Sequence, residues 1–194
     1  AASGGVGQVA CQLAKIAGSR VVGIAGSAQK LDYLRKEVGV DECVSHLSES
    51  FKEELREVCP NGCDVYFENV GGKVYEAVLP LLNEGSRITV CGMISQYGNT
   101  DGLDPRQAWN ALGEPTFSKK NVLVHDLFVG NFVEQYQDEF LSKMADYVSS
   151  GRINYKEDRW EGLESAPEAF AAMLTGGNFG KTIVSVSEDL SRVQ

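Results

Sequence analysis

Apolar residues recur at intervals of three and four after a glycine-rich opening, which is the spacing of one face of an α-helix. Gly18 ends this predicted helix. The next apolar run, residues 20–25, is continuous and short, as expected of a buried strand. The apolar positions of the helix face are Val6, Val9, Ala10, Leu13, Ala14 and Ala17.

Helix and strand patterns continue to alternate over most of the chain. Repeated strand–helix units are typical of a parallel sheet with helices on both faces. We therefore predict the α/β class, in the form of a doubly wound parallel sheet. The predicted helices cover residues 28–38, 49–58, 73–82 and 133–149, and the predicted strands cover residues 42–45, 64–68, 87–91 and 122–129.

Two segments depart from this alternation. Residues 95–115 are rich in glycine and proline and predict a long loop, with a short helix over 106–112 as the alternative. After Gly151 the pattern predicts an edge strand at 154–157, a helix at 166–174 and a last strand at 181–186. Because this tail does not extend the repeat, we assign it to a second structural unit.

Small residues at the start of the chain have the spacing of a dinucleotide-binding turn. Ala1, Gly4 and Gly7 lie where a backbone must approach a pyrophosphate, and the following helix offers free N–H groups and a positive dipole end. A glycine turn alone is a weak signal, but the strands and helices that follow strengthen it. Since three residues precede Gly4, we expect the first strand of the fold to be missing from this sequence.

The end of the strand at 20–25 predicts which dinucleotide is bound. An NAD site usually has Asp or Glu there, about 20 residues after the glycines. Here Gly26, Ser27 and Lys30 follow instead, without a carboxylate. A hydroxyl and an ammonium match the 2′-phosphate of NADP(H). The alternative is that Ser27 is a helix N-cap and Lys30 a solvated side chain.

Composition narrows the class of partner. The net charge of −9 argues against nucleic acid or an anionic membrane, and no apolar run approaches the ~20 residues that span a bilayer. The five cysteines indicate reduced thiols of a cytoplasmic protein rather than a disulfide framework. Cys59 and Cys63 lack a second pair of ligands, so we expect no metal site.

Four motifs in order carry a family resemblance: ASGGVG at 2–7, FENVGG at 67–72, CGMISQY at 91–97 and GNFGK at 177–181. Together they resemble the zinc-independent medium-chain dehydrogenases/reductases, and within them the prostaglandin reductase, 2-alkenal reductase and NADPH-dependent curcumin reductase group. The resemblance covers nearly the whole chain. It implies NADPH-dependent reduction of the C=C bond of small α,β-unsaturated ketones or aldehydes.

The resemblance also implies a domain arrangement. Residues 1–150 would form the NADP-binding Rossmann domain, and residues 151–194 would return to a GroES-like substrate domain that is absent here. Loss of that partner surface would leave apolar area on the last helix and strand, which a homodimer could cover.

A set of cofactor-contacting residues follows from the same resemblance. Asn69 would lie near the nicotinamide-side ribose, and Asn178 would reach back from the tail. His46 stands where related enzymes often have a tyrosine at the adenosine phosphate; an exposed loop histidine is the alternative. The full set is Gly4, Gly5, Val6, Gly7, Gly26, Ser27, Lys30, His46, Asn69, Cys91, Ser95, Tyr97, Leu127, Phe128, Val129 and Asn178.

Tyr97 is the candidate catalytic residue. Hydride transfer belongs to the cofactor, and the protein supplies position and electrostatics. A phenol near the substrate oxygen or α-carbon could stabilise or protonate the enolate that forms. The alternative for Tyr97 is a surface aromatic packed on its loop. Two other functions use the same cofactor residues: an NADPH quinone oxidoreductase and a non-catalytic nucleotide-binding module.

Overall fold

The computed structural model describes residues 1–98, Gly102 and residues 104–187. All four strand pairings among these residues are parallel, which confirms the α/β class predicted from the alternation. The helices are α1 Gly7–Ile16, α2 Ala28–Tyr33, α3 Phe51–Val58, α4 Gly72–Val78, α5 Pro105–Lys120, α6 Gly130–Ser149 and α7 Ala166–Leu174. The strands are β1 Val22–Ala25, β2 Glu42–Ser45, β3 Cys63–Glu68, β4 Leu82–Val90, β5 Leu123–Asp126, β6 Glu157–Glu161 and β7 Lys181–Ser185.

The chain divides into two compact units. The first combines Ala1–Ser45 with the described residues from Val148 onward, and the second is His46–Tyr147. The boundary expected between an NADP-binding domain at 1–150 and a returning segment at 151–194 stays a prediction.

In the first unit, β1 pairs with β2, and β6 pairs with β7. The N–H of Ala2 donates to the carbonyl of Ile24 at 2.9 Å, so the start of the chain runs beside β1. A π-helical segment, Leu34–Val38, continues α2 and ends at Gly39. The buried side chains of this core are Val21, Ala25, Tyr33, Leu34, Val38, Val40 and Cys43.

Two glutamines of α1 hold the segment that precedes β6. Gln8 Oε1 accepts from the N–H of Lys156 at 2.8 Å, and Gln8 Nε2 donates to the Lys156 carbonyl at 3.0 Å. Gln12 pairs with the backbone of Asn154 in the same way, at 2.8 and 2.7 Å. The prediction of an edge strand at 154–157 is therefore wrong for residues 154–156 and holds for Glu157 alone. Side-chain amides satisfy this backbone, and β6 begins at Glu157.

The second unit contains the sheet β3-β4-β5. The register of β3 with β4 shifts between Cys63, which pairs with Leu82, and Val65, which pairs with Arg87. Gly85, with φ 69°, lies in the extra length of β4, which begins at Leu82, earlier than predicted. A single 3-10 turn, Leu79–Leu81, separates α4 from β4. Buried side chains of this unit include Phe51, Leu55, Tyr66, Val74, Tyr75, Ala77, Val78, Leu79, Leu82, Ile88, Val90 and Trp109.

Helix α5 replaces much of the long loop that we predicted at 95–115. Asp104 caps its first turn, accepting from the N–H of Arg106 at 2.9 Å, and Asn121 ends it in the left-handed conformation. Pro115 lies inside this helix although proline removes a backbone hydrogen bond. Packing outweighs that cost, since Trp109 stacks on Tyr75 with ring centroids 4.3 Å apart. Residues 99–101 and 103 of the predicted loop lie outside the described residues.

Within the described part of the chain, no helix combines the length and the hydrophobicity needed to cross a membrane.

Candidate nucleotide-binding site

The glycine turn presents bare backbone at the start of α1. No side chain caps the first turn, and Gly4 forms an isolated parallel bridge with Gly180. A Cβ on Gly7 would lie 2.2 Å from the Ala1 carbonyl oxygen, and a Cβ on Gly5 would lie 2.7 Å from Cδ of Lys181. These glycines let the start of the chain and the tail approach α1 closely, and the uncapped N–H groups of this helix N-terminus suit a pyrophosphate.

Replacing Gly7 tests this close approach. We expect Gly7→Ala to destabilise the protein by about 1–3 kcal/mol, because the new methyl group must displace backbone. That loss corresponds to a drop in Tm of several degrees, measurable by thermal unfolding. Gly98→Ala is the control, since its Cβ would meet open space. An equal Tm for the two variants would contradict the required close approach at Gly7.

The corner after β1 is built from small groups and one ammonium. Ser27 Oγ accepts from the N–H of Lys30 at 3.4 Å, so Ser27 does cap α2. Ser45 Oγ donates to the Gly26 carbonyl at 2.6 Å and fixes the corner. Lys30 Nζ donates to the Gly176 carbonyl at 2.7 Å. Partial burial lowers the pKa of Lys30, and Asp158 opposes that shift.

The tail of the first unit packs beside the same corner. The ring of Phe179 meets Tyr33 edge to face at 5.3 Å, and the ammonium of Lys156 lies 4.7 Å from the centroid of Phe179. Asn178 Nδ2 donates to the Gly180 carbonyl at 3.0 Å. Asn178 is thus held in a turn of the first unit, together with the glycine turn and the Gly26–Lys30 corner. Its predicted cofactor contact stays a prediction.

In the second unit, the turn after β3 and the loop after β4 are joined by hydrogen bonds. The Asn69 carbonyl accepts from the N–H of Ile94 at 3.1 Å. The Val70 carbonyl accepts from the N–H of Ser95 at 3.1 Å and from Ser95 Oγ at 2.5 Å. The predicted site residues Asn69 and Ser95 therefore lie together, at the carboxyl ends of parallel strands where α/β proteins bind ligands.

Tyr97 lies on this loop with 63% of its surface exposed. Its hydroxyl accepts from the N–H of Met93 at 3.3 Å, so the phenol keeps its own proton available for donation. Cys91 is half-buried at the start of the loop, and burial raises the pKa of its thiol. Cys91 therefore stays a neutral thiol at pH 7.

The remaining predicted residues lie on separate segments of the second unit. His46 follows β2 and is half-buried. Leu127 donates its N–H to the Val90 carbonyl at 2.9 Å, which places residues 127–129 beyond β5. Phe128 and Val129 are 66% and 71% exposed. Their predicted roles toward the nicotinamide stay predictions.

Glu68 is a residue whose importance the sequence did not indicate. It is fully buried at the end of β3, and four donors surround its carboxylate. Oε1 accepts from the Tyr66 hydroxyl at 2.9 Å and from the N–H groups of Val70 and Gly71 at 2.7 and 2.9 Å. Oε2 accepts from Trp109 Nε1 at 3.2 Å. The signal available in the sequence is a glutamate at a strand end, shortly before a pair of glycines.

The described residues contain no group of three or more His, Cys, Asp or Glu side chains that could hold a metal ion. Cys63 Sγ donates to the Val65 carbonyl at 3.1 Å, and burial raises the pKa of this thiol to about 11. A thiol that stays protonated is a poor metal ligand.

Parallel α/β units with a bare glycine turn at a helix start define the dinucleotide-binding class of proteins. The family model for zinc-binding dehydrogenases matches residues 5–146 of the chain. The chain belongs to this family, as its motifs had indicated.

Curated relatives point to one branch. The chain is 41% identical over 189 residues to the NADPH-dependent curcumin reductase of Escherichia coli strain K12, covering 97% of this chain and 54% of that protein. It is 39% identical over 192 residues to the NADP(+)-dependent 2-alkenal reductase of Nicotiana tabacum, covering 97% and 53%. The chain thus spans about half the length of these relatives.

Solved structures agree with the fold. CurA from Vibrio vulnificus, crystallised with NADPH, matches with a TM-score of 0.88 at 41% identity, covering 97% of this chain and 56% of that one. The quinone oxidoreductase of Escherichia coli, also with NADPH, matches with a TM-score of 0.73 at 23% identity, covering 95% and 55%. The second likeness concerns the fold alone.

Proposed function

We propose that the protein is an NADPH-dependent oxidoreductase that reduces the C=C bond of α,β-unsaturated ketones or aldehydes. This chain would supply most of the cofactor site. The observation that carries the proposal is the uncapped glycine turn of α1 in the same unit as a β1 corner that holds Lys30 and no carboxylate. The names of relatives about 40% identical give the class of reaction.

The residues of the first unit fit NADPH by charge and by space. Gly5, Val6 and Gly7 would offer backbone N–H groups to the pyrophosphate at a helix start that no side chain caps. Gly4 would belong to the same turn, which its own N–H closes by donating to the Ala1 carbonyl at 3.1 Å. Lys30 lies on the corner that would recognise the adenosine ribose, and its ammonium donates to a neutral acceptor, the Gly176 carbonyl. A 2′-phosphate would be a stronger, charge-assisted partner for Lys30.

NADPH, when bound, supplies the hydride. Residues of the second unit would orient the nicotinamide and the substrate, and one of them would protonate the substrate. Asn69 and Ser95 belong to two segments that hydrogen bonds hold together, and these bonds would fix the nicotinamide side of the site. The Tyr97 phenol would donate a proton or hydrogen bond to the substrate carbonyl oxygen, on which negative charge develops.

The domain assignment belongs to the same proposal. Residues 1–150 would bind the nucleotide, and residues 151–194 would return to a substrate domain. Phe170 and Leu174 of α7 are 58% and 42% exposed, an apolar surface that such a domain, or a second copy, would cover.

The test is an assay of the full-length protein with NADPH against an enone panel and a quinone panel. We expect oxidation of NADPH with enones and accumulation of the saturated ketone. Turnover with quinones alone would replace the proposal by a quinone oxidoreductase, and NADPH binding without turnover on either panel would replace it by a nucleotide-binding module.

A further inference from the structure

A fully buried carboxylate at a ligand-binding edge requires a reason, because burying a charge is costly unless it is fully hydrogen-bonded. Glu68 meets that condition through donors alone: one hydroxyl, one indole N–H and two backbone N–H groups. Burial, reinforced by Glu68 itself, raises the pKa of Tyr66 well above its usual value, so this phenol remains a donor. All four partners donate, so they suit a Glu68 carboxylate that only accepts hydrogen bonds.

The four donors come from three segments of the second unit. Tyr66 lies on β3, Trp109 on α5, and Val70 and Gly71 on the turn that follows β3. Trp109 is itself fixed by stacking on Tyr75 and by Arg106, whose guanidinium lies 4.7 Å from its ring centroid. The carboxylate therefore joins a glycine turn to a packed strand and to a packed helix.

The backbone of Glu68 reaches the second loop as well. Its carbonyl accepts from the N–H groups of Cys91 and Gly92 at 2.9 and 3.1 Å. Gly71, the residue before α4, has φ 73°, a conformation that other residues rarely adopt. Because glycine adopts many conformations about equally well, the turn has little preference of its own for this shape. Fixing the N–H groups of Val70 and Gly71 also fixes the Asn69 and Val70 carbonyls that hold Ile94 and Ser95.

We infer that Glu68 is a positioning residue, which sets the 69–72 turn and through it the 93–97 loop, and so aligns Asn69, Ser95 and Tyr97 toward the nicotinamide and the substrate. The assignment of these three residues to the nicotinamide side rests on the proposed function. The alignment of the two segments by Glu68 does not, and it can be measured without cofactor.

Glu68→Gln is the informative variant because it keeps the shape of the side chain. Its amide NH₂ must face either the backbone donors or Trp109 Nε1, so one donor meets another donor and a buried group is left unpaired. Trp109→Phe removes the indole donor and keeps the aromatic ring. The double variant Glu68→Gln/Trp109→Phe should therefore recover part of what Glu68→Gln loses.

Tyr75→Phe is the matched control. Tyr75 is buried in the same cluster, and its hydroxyl donates to the Trp109 carbonyl at 3.2 Å. Its loss removes a buried hydrogen bond without touching the 69–72 turn. Any effect that follows from lower stability alone should therefore be the same in Tyr75→Phe and in Glu68→Gln.

The first readout is amide hydrogen exchange of the full-length protein without cofactor. We expect Glu68→Gln to speed exchange at Val70 and Gly71 about tenfold relative to amides of β4, the effect of one lost buried hydrogen bond. Tyr75→Phe should change that ratio less than about twofold. The ratio in the double variant should lie between those of Glu68→Gln and the wild-type protein. Exchange at Val70 and Gly71 that stays within about twofold of wild type in Glu68→Gln overturns the inference. If Glu68→Gln does not fold, Glu68→Asp, which keeps the charge but draws the carboxylate back from Val70 and Gly71, decides by the same ratio and the same limit.

The second readout is NADPH binding and turnover. With the proposed function intact, Glu68→Gln should weaken NADPH binding and lower kcat by about tenfold each, while Tyr75→Phe changes neither by more than about twofold. Equal effects in the two variants would reduce Glu68 to a structural residue. Failure of the wild-type protein to bind NADPH would remove the proposed function, and the exchange readout would still decide the role of Glu68.

Discussion

Lys30→Ala is expected to raise the Kd for NADPH by roughly 30-fold in the full-length protein, since a charge-assisted hydrogen bond contributes about 1.5–3 kcal/mol. The Kd for NADH should change less than about threefold, because NADH has no 2′-phosphate for an ammonium to contact. Titration calorimetry with both nucleotides measures the two constants directly.

A control variant and a stability measurement show whether the effect of Lys30→Ala is specific to the phosphate. Lys36→Ala removes the same charge from the neighbouring π-helical turn, where Lys36 pairs with Asp32 in solvent, and should leave both constants unchanged. Lys30→Ala also loses the bond to the Gly176 carbonyl, so its Tm is measured alongside. A loss of affinity that is the same for NADPH and NADH would show that Lys30 supports the fold and not the phosphate.

Tyr97→Phe is expected to lower kcat for enone reduction by about 100-fold, the size typical of a lost general acid. The KM for NADPH should change little, because Phe keeps the ring and loses the hydroxyl alone. That hydroxyl also accepts from the Met93 N–H, so part of the loss would reflect the loop rather than proton donation. The solvent deuterium isotope effect on kcat separates the two, since proton donation responds to deuterium and the shape of the loop does not.

Tyr155→Phe is the matched control for Tyr97→Phe. Tyr155 is 58% exposed, close to the 63% of Tyr97, and lies in the other compact unit. An unchanged kcat in Tyr97→Phe, equal to that of Tyr155→Phe, would assign Tyr97 to the surface of its loop.

The regular part of the fold could be predicted because its signal is local. The 3.6-residue spacing of apolar positions identified α1, and short apolar runs identified β1 and β3 within two residues of their ends. Helix α5 could not be predicted to its full length, because Gly113 and Pro115 disfavour a helix. The stack of Trp109 on Tyr75, 34 residues earlier in the chain, overrides that preference.

In the candidate site, too, the sequence predicts the features that depend on local spacing and misses those that depend on distant contacts. The glycine turn and the Lys30 corner follow a spacing rule, so sequence alone places them in one unit. The donors around Glu68 include Trp109, which is 41 residues away in sequence. The sequence pattern near Glu68 does not predict that contact. Gln8 and Gln12 hydrogen-bond to the backbone of residues 154–156 from more than 140 residues away in sequence. Local sequence patterns cannot show such bonds, so the sequence predicted a strand there.

The account depends most on recognition of a phosphorylated adenosine by the first unit. Its most direct test is a competition titration of the full-length wild-type protein with NADPH and NADH under one buffer and salt concentration. We predict that NADPH binds at least about tenfold more tightly. Tighter or equal binding of NADH, or binding of neither nucleotide, would contradict the account.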